Sequence, residues 1–271
     1  VLGGSGSDQQ YDNMYDLWAD AEYEELFDLS AELLDRRPMD SMALIMNGFS
    51  GFQLAFSRAS NEERAALLEE SLQSLRKALL TDPTEFRGQI EYVLGKIYYH
   101  KGRPFFDLAI RYLEGSIDQG YTAIDQFEYL ALAHSELAQY QESARYLLRA
   151  IELNPQPALY KTLADTYYIM DEYDLAVSFY RQTIRASTDA VVVQESHLSL
   201  AEVFLLQEEL ARAEEEIRVV LEQNDQSADA HFLLGEVLFA QGNEELARFQ
   251  WREARRIDPN HADALVSLQT K

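Results

Sequence analysis

An all-α fold assembled from repeated helix pairs is what this sequence predicts, on three observations. Only six prolines and twelve glycines punctuate 271 residues, while Ala, Leu, Glu, Gln and Arg, which lose little on entering a helix, dominate between them. The apolar share, 47%, is enough to bury a sizeable core. The chain also resembles itself when slid by about 34 residues, a spacing typical of stacked helical units.

The elements follow in chain order. Residues 1–6, opening VLGGSGSDQQ, read as a flexible run, either a scar of expression or the tether behind a removed lipid-bearing residue. In the first unit, about 7–40, YEELFDLSAELLDRRP keeps a second-helix pattern but carries Leu26 where a small residue is expected. The second, about 41–87, has about eleven extra residues around FSRASNEERAALLEE. There Ser60 and Glu63 read as a capping box opening a longer helix, so the hairpin is expected to protrude.

The third unit, about 88–123, shows Leu94, Gly95, Tyr98, Ala109 and Leu113, with two extra residues in HKGRPFF (His100 to Phe106). The adjacent phenylalanines there suit an interface or a plug under the helices. The fourth, about 124–156, carries Phe127, Leu130, Ala131, Ser143, Leu147, Ala150 and Pro155. The fifth, about 157–193, carries Tyr160, Leu163, Ala164, Tyr167, Ala176 and Tyr180. The sixth, about 194–227, repeats the series as Leu200, Ala201, Phe204, Ala213, Ile217 and Val220. The seventh, about 228–261, runs Leu234, Gly235, Leu238, Ala247, Trp251, Ala254 and Pro259, and 262–271 reads as a capping helix. In each unit the small residues let helices approach while larger neighbours three or four places away fill the gap. A single pair cannot bury its stripe on both sides, so stacked units share a core and the terminal one needs a polar outer face.

This series resembles the tetratricopeptide repeat family, whose unit is a helix-turn-helix with Gly or Ala in the first helix, Ala in the second and a closing Pro. The resemblance spans nearly the whole chain and implies a right-handed superhelical solenoid of antiparallel helix pairs, about seven units plus the capping helix. It further implies a non-catalytic scaffold holding a partner protein or extended peptide in a concave groove lined by first helices. Projected onto this sequence, the groove presents Tyr11, Tyr15, Trp18, Phe49, Phe52, Tyr92 and Tyr99, with Lys96 and His100, from the N-terminal units. From Asp125 onward it presents Asp125, Glu128, Glu136, Asp165, Glu195, Glu202, Asp229 and Glu236 against Lys161. One stretch is aromatic and the other acidic. Groove asparagines are lacking and the lysines isolated, so the family's Lys/Asn grip on a C-terminal carboxylate is not expected.

Charge and composition exclude other classes. Forty-seven Asp and Glu against 23 Lys and Arg leave a net charge of −24, which repels phosphate backbones and anionic headgroups. The acidic face suits a basic partner, not nucleic acid. Between Arg76 and Arg111 the sign reverses locally to +3, leaving −27 elsewhere. Cysteine is absent, which removes disulfides, thiolate metal sites and cysteine catalysis. No apolar run reaches transmembrane length and no signal peptide opens the chain. HExxH, EF-hand and Gly-rich phosphate-loop spacings are missing, and GFSG (Gly48 to Gly51) lacks the GxSxG pattern, reading instead as close helix packing. Acid-rich stretches such as ELARAEEEI resemble a solvated face, and His134, His197 and His231 fall at helix-packing positions. Neither an enzyme nor a metal or cofactor is expected. A small-molecule or lipid-binding module using the aromatic half, and a self-associating structural protein or homo-oligomer, remain as alternatives. A native tether would place the chain in a bacterial periplasm as a lipoprotein; otherwise it is cytoplasmic.

Overall fold

The computed structural model describes residues 5–58 and 60–270, with side chains from Gln9 onward. Among them the chain is helical and without strands: α1 (Ser5–Ala19), α2 (Tyr23–Arg36), α3 (Ser41–Ser57), α4 (Asn61–Leu79), α5 (Arg87–His100), α6 (Phe106–Asp118), α7 (Gln126–Glu136), α8 (Tyr140–Leu153), α9 (Pro157–Ile169), α10 (Tyr173–Ala186), α11 (Ala190–Leu206), α12 (Leu210–Gln223), α13 (Ala228–Ala240), α14 (Glu244–Ile257) and α15 (Ala262–Thr270). Residues 1–4 of the expected tether lie outside the described residues, and Ser5 and Gly6 already belong to α1. Packing divides this all-α repeat fold into two compact units, Val1–Gln139 and Tyr140–Lys271, a division between α7 and α8 that the repeat pattern did not announce.

Helix starts are set locally. Asp40 caps α3 by accepting from the Ala43 N–H at 3.1 Å, Asp189 caps α11 through the Val191 N–H at 2.8 Å, and Ser227 caps α13 through the Ala230 N–H at 3.3 Å. Each oxygen satisfies a donor that the first helical turn leaves orphaned. Ser60 accepts from the Glu63 N–H at 3.4 Å, the first half of the expected box. The extra residues of that segment lengthen both helices, α3 to 17 residues and α4 to 19. The tight turns inside the pairs place Ala21, Ala138, Asp171, Glu208 and Gly242 at positive φ, 57° to 83°. Glycine occupies this left-handed position only in the last of these turns, inside the Gln-Gly-Asn sequence. Elsewhere a β-carbon is tolerated at a cost of about 1–2 kcal/mol.

The small residues do what the pattern predicts. A β-carbon on Gly235 would collide with Trp251, on Gly95 with Leu113, and on Gly48 with Leu75. Gly51 faces Ser71 and Phe27, so GFSG is a close crossing of helices. Ala176, Ala213 and Ala247 are fully buried opposite these contacts. In the first pair the spacing survives but the sizes change. Met14 and Leu26, twelve residues apart like Gly235 and Ala247, are both fully buried and hold α1 and α2 in a looser apposition. Phe106 is buried and Phe105 packs on Tyr98, so HKGRPFF is a plug, turned by Gly102 at φ 88°. Helix α15 covers Trp251 and Ala254 with Ala264 and Leu268. Its outer face departs from the expected polar cap, since Leu265 and Val266 lie exposed there.

Candidate functional site

In the first unit the expected groove residues separate into three places. Trp18 packs on Phe49 in a tilted pair with ring centroids 5.8 Å apart, and Phe49 and Phe52 are buried in the α3–α5 core. Both were expected on the groove surface. The correction follows from size: where α3 and α4 cross at Gly48 and Gly51, neighbouring aromatics are needed to fill the space around the contact. Tyr11 donates to Asp40 at 2.7 Å beside a cavity of about 330 Å³ that Met42, Ile45 and Phe86 also line. Tyr15 remains exposed, its hydroxyl pKa raised by burial and by Glu85.

The third place is built around Lys96. Its ammonium lies 2.8 Å from the Asp125 carboxylate and 3.1 Å from the Tyr92 hydroxyl, which itself donates to Asp125 at 2.6 Å. The rings of Phe52, Tyr92 and Tyr129 surround the same cation at 4.6–5.5 Å. Burial first, then Asp125, pushes the Tyr92 hydroxyl far up and that of Tyr129 to about 12. Tyr99 stands edge-on to Tyr129 at 5.2 Å. His100 packs on Phe56 with ring centroids 4.7 Å apart and planes tilted by 59°, and is pushed down to about 4 by desolvation among these rings, by Lys96 and by Arg64. Glu128 is half-buried near Asp125, and both effects raise its pKa. Glu136 lies exposed at the end of α7. The ammonium is thus held in place by charge pairing and ring faces.

In the second unit the sorting of charge is sharper. All ten arginines of residues 140–271 stand on the second helices α8, α10, α12 and α14. The first helices α9, α11 and α13 carry Asp165, Glu195, Glu202, Asp229 and Glu236, with Lys161 as their one cation. Lys161 lies 3.2 Å from Asp165 and 3.7 Å from Glu195. Asp165 also accepts from the Tyr180 hydroxyl at 2.7 Å, and Glu236 from Ser267 at 2.7 Å. A cavity of about 270 Å³ opens among α9, α11, α13 and α15. Lys161, Glu195, Glu202 and Asp229 line it together with His261 and Asp263. Glu202 keeps an exposed edge, yet burial and then Asp229, Asp165 and Asp263 raise its carboxyl pKa.

His261 and Asp263 were not anticipated as site residues, because they fall in the capping segment. The signal was present: Lys161, Glu195, Asp229 and Asp263 follow one another at intervals of 34. Tyr129 was likewise missed, as no repeat position distinguishes it from a packing aromatic. The other histidines are accounted for by neighbours, His197 by Glu216 at 2.6 Å and His231 by Gln250 at 2.7 Å, each partner 19 residues on. Among the described residues no three His, Asp or Glu side chains are grouped as metal ligands, and no helix is long and apolar enough to cross a membrane.

Two family models described as tetratricopeptide repeat match the chain, one over residues 130–191 and one over 228–261. No curated protein matches it. Among solved structures, the C-terminal part of a TPR repeat-containing protein from Cytophaga hutchinsonii superposes with a TM-score of 0.70 at 15% identity, covering 95% of this chain and 99% of that one. The pilF protein of Pseudomonas aeruginosa gives 0.56 at 16% identity, over 83% of this chain and 97% of that one. A chain from the structure of Naa15/Naa10 bound to HypK-THB gives 0.59 at 15% identity, over 96% of this chain and 38% of that one. At such identities these are likenesses of fold.

Proposed function

We propose, from the premise that this chain is a tetratricopeptide repeat protein, that it is a non-catalytic scaffold whose first helices bind a partner protein or an extended peptide of basic character. The observation that carries the reading is the distribution of net charge in the second unit: ten arginines and ten carboxylates balance on the second helices, while the first helices carry five carboxylates against Lys161 alone. A merely solubilising skin has no reason to keep arginines off the first helices, since charges of either sign hydrate equally well on either helix. Like charges gathered on one wall raise the local potential and attract a cationic segment. The aromatic stretch offers less to a small molecule or lipid, because Phe49 and Phe52 are buried and Lys96 is enclosed by its own neighbours.

The test is capture on the immobilised full chain from a native extract, followed by titration of the retained protein in purified form. Saturable one-to-one binding that weakens with added salt is expected. Failure to saturate with any purified protein, together with self-association that tracks the concentration of this chain, would replace the scaffold by a self-assembling protein.

A further inference from the structure

Between Arg76 and Arg111 the charge runs against the rest of the chain, +3 where the remainder is −27. Three of its cations are held internally: Arg87 by Glu91 at 3.1 Å, Lys96 by Asp125 at 2.8 Å and Lys101 by Glu69 at 2.6 Å. Arg76 and Lys77, in the last turn of α4, are exposed and make no ion pair among the described residues. The carboxylate that feels Arg76, Glu69, is already taken by Lys101.

These two cations rim a cavity of about 440 Å³ between the end of α4 and α6, lined also by Gln73, Leu79, Leu80 and Tyr112. Its wall holds no carboxylate, unlike the two cavities described above. Leu80 is 77% exposed, more than any other large apolar side chain among the described residues. Tyr112 is held firm by stacking on Tyr98, with ring centroids 5.4 Å apart and planes 13° from parallel. Cations in the last turn of a helix complement its dipole, which accounts for Arg76 and Lys77 but not for a leucine left in water beside them. Exposed apolar surface next to arginine and tyrosine, around a hollow that admits a side chain, is the composition of a binding surface.

We propose that this groove docks a short segment of a partner protein in which carboxylates flank a large apolar side chain. The apolar side chain rests on Leu79, Leu80 and Tyr112, and the carboxylates meet Arg76 and Lys77. Charge complementarity selects this occupant. A second copy of the chain brings a net charge of −24, and a nucleic acid brings a phosphate with every nucleotide, so both carry charge beyond the groove that the acidic remainder repels. A segment with a few carboxylates keeps its charge within a Debye length, about 8 Å, of the two cations. The apolar wall, in turn, gives nothing to a free inorganic anion. The groove is built by second helices, so it is separate from the first-helix wall and stands whether or not that wall binds a basic segment.

The test displays a library of random nine-residue segments and selects it on the immobilised full chain. Selected segments are expected to combine Asp or Glu with Leu, Ile, Phe or Met, and synthetic copies to bind the double variant Arg76→Gln, Lys77→Gln about tenfold more weakly than the parent. Leu80→Ser should weaken them too, whereas Arg252→Gln, which removes an exposed arginine of α14, should not. The reversal Arg76→Glu, Lys77→Glu should turn the selection towards Lys or Arg beside the apolar residue, an outcome that misfolding cannot produce. A library that yields no acidic and apolar consensus, or segments whose binding ignores both the double variant and Leu80→Ser, overturns the assignment. Labelled full chain that binds the immobilised chain and is displaced by the same segments would put a second copy in the groove and overturn the choice of occupant.

Discussion

A carboxylate surrounded by other carboxylates reports its surroundings through protons. Glu202 has its pKa raised by burial, Asp229, Asp165 and Asp263, so the folded chain prefers it protonated relative to the unfolded chain. The ionised form therefore subtracts stability above the folded pKa, and the penalty disappears as pH falls through the ordinary carboxylate range, about 4. Glu202→Gln should accordingly raise Tm at pH 7, with the gain shrinking towards pH 4. Thermal melts across that interval check it, and a Tm that is unchanged or lowered at pH 7 counts against the account. On the proposed scaffold reading the same variant should weaken binding of a basic segment, which would set stability and function against each other at Glu202. Tyr92 shows the converse. Its hydroxyl and ring serve Asp125 and Lys96 within the unit, and its truncation removes internal contacts before any external one.

At the scale of the element, the helix pair depends on a few points of near contact. Gly235 faces the indole of Trp251, which is fully buried, and Ala176 is fully buried where α9 and α10 meet. Filling either point forces helices apart or drives side chains off their rotamers. Gly235→Leu and Ala176→Phe should each lose about 1–3 kcal/mol or more, read as a lowered denaturation midpoint. Unchanged midpoints in both would refute the repeat register. The first pair shows that the register can be filled differently, since Met14 and Leu26 occupy corresponding positions and are equally buried. Spacing is what the pair preserves, and residue size sets how closely its helices lie.

At the scale of the whole molecule, the net charge of −24 is shared almost evenly, about −13 on residues 1–139 and −11 on 140–271. Quantity of charge does not distinguish the two units; placement does. On its second helices ten arginines balance ten carboxylates, whereas the first helices α9, α11 and α13 carry five carboxylates against Lys161 alone. Replacing Glu195, Glu202 and Glu236 together by Gln should slow association with the purified partner by about tenfold at low salt and flatten the salt dependence. Stopped-flow measurements over a range of ionic strength check this. Association as fast as the parent's at low salt would reduce the acidic face to a solvated surface.

The sequence by itself determined the helical class, the 34-residue spacing and the identity of the close contacts, because these rest on local periodicity and residue size. Gly95 and Gly235 were legible as contact points from their places in that period and Gly48 from the GFSG stretch, while Lys161, Glu195 and Asp229 were reached through the family's groove geometry. Only the tertiary structure decided which long side chains turn inward. Phe49 and Phe52 lie in the core while Tyr15 on the neighbouring first helix stays exposed, a choice set by the volume to be filled around each crossing. It also decided that Lys96 is enclosed by three rings and Asp125, which are brought together from α3, α5 and the start of α7. The cavity with His261 and Asp263 likewise depends on the capping helix folding back beside α13, a long-range packing event. Periodicity fixes which face of its own helix a residue occupies, whereas the depth of a site is set by the neighbour that closes it.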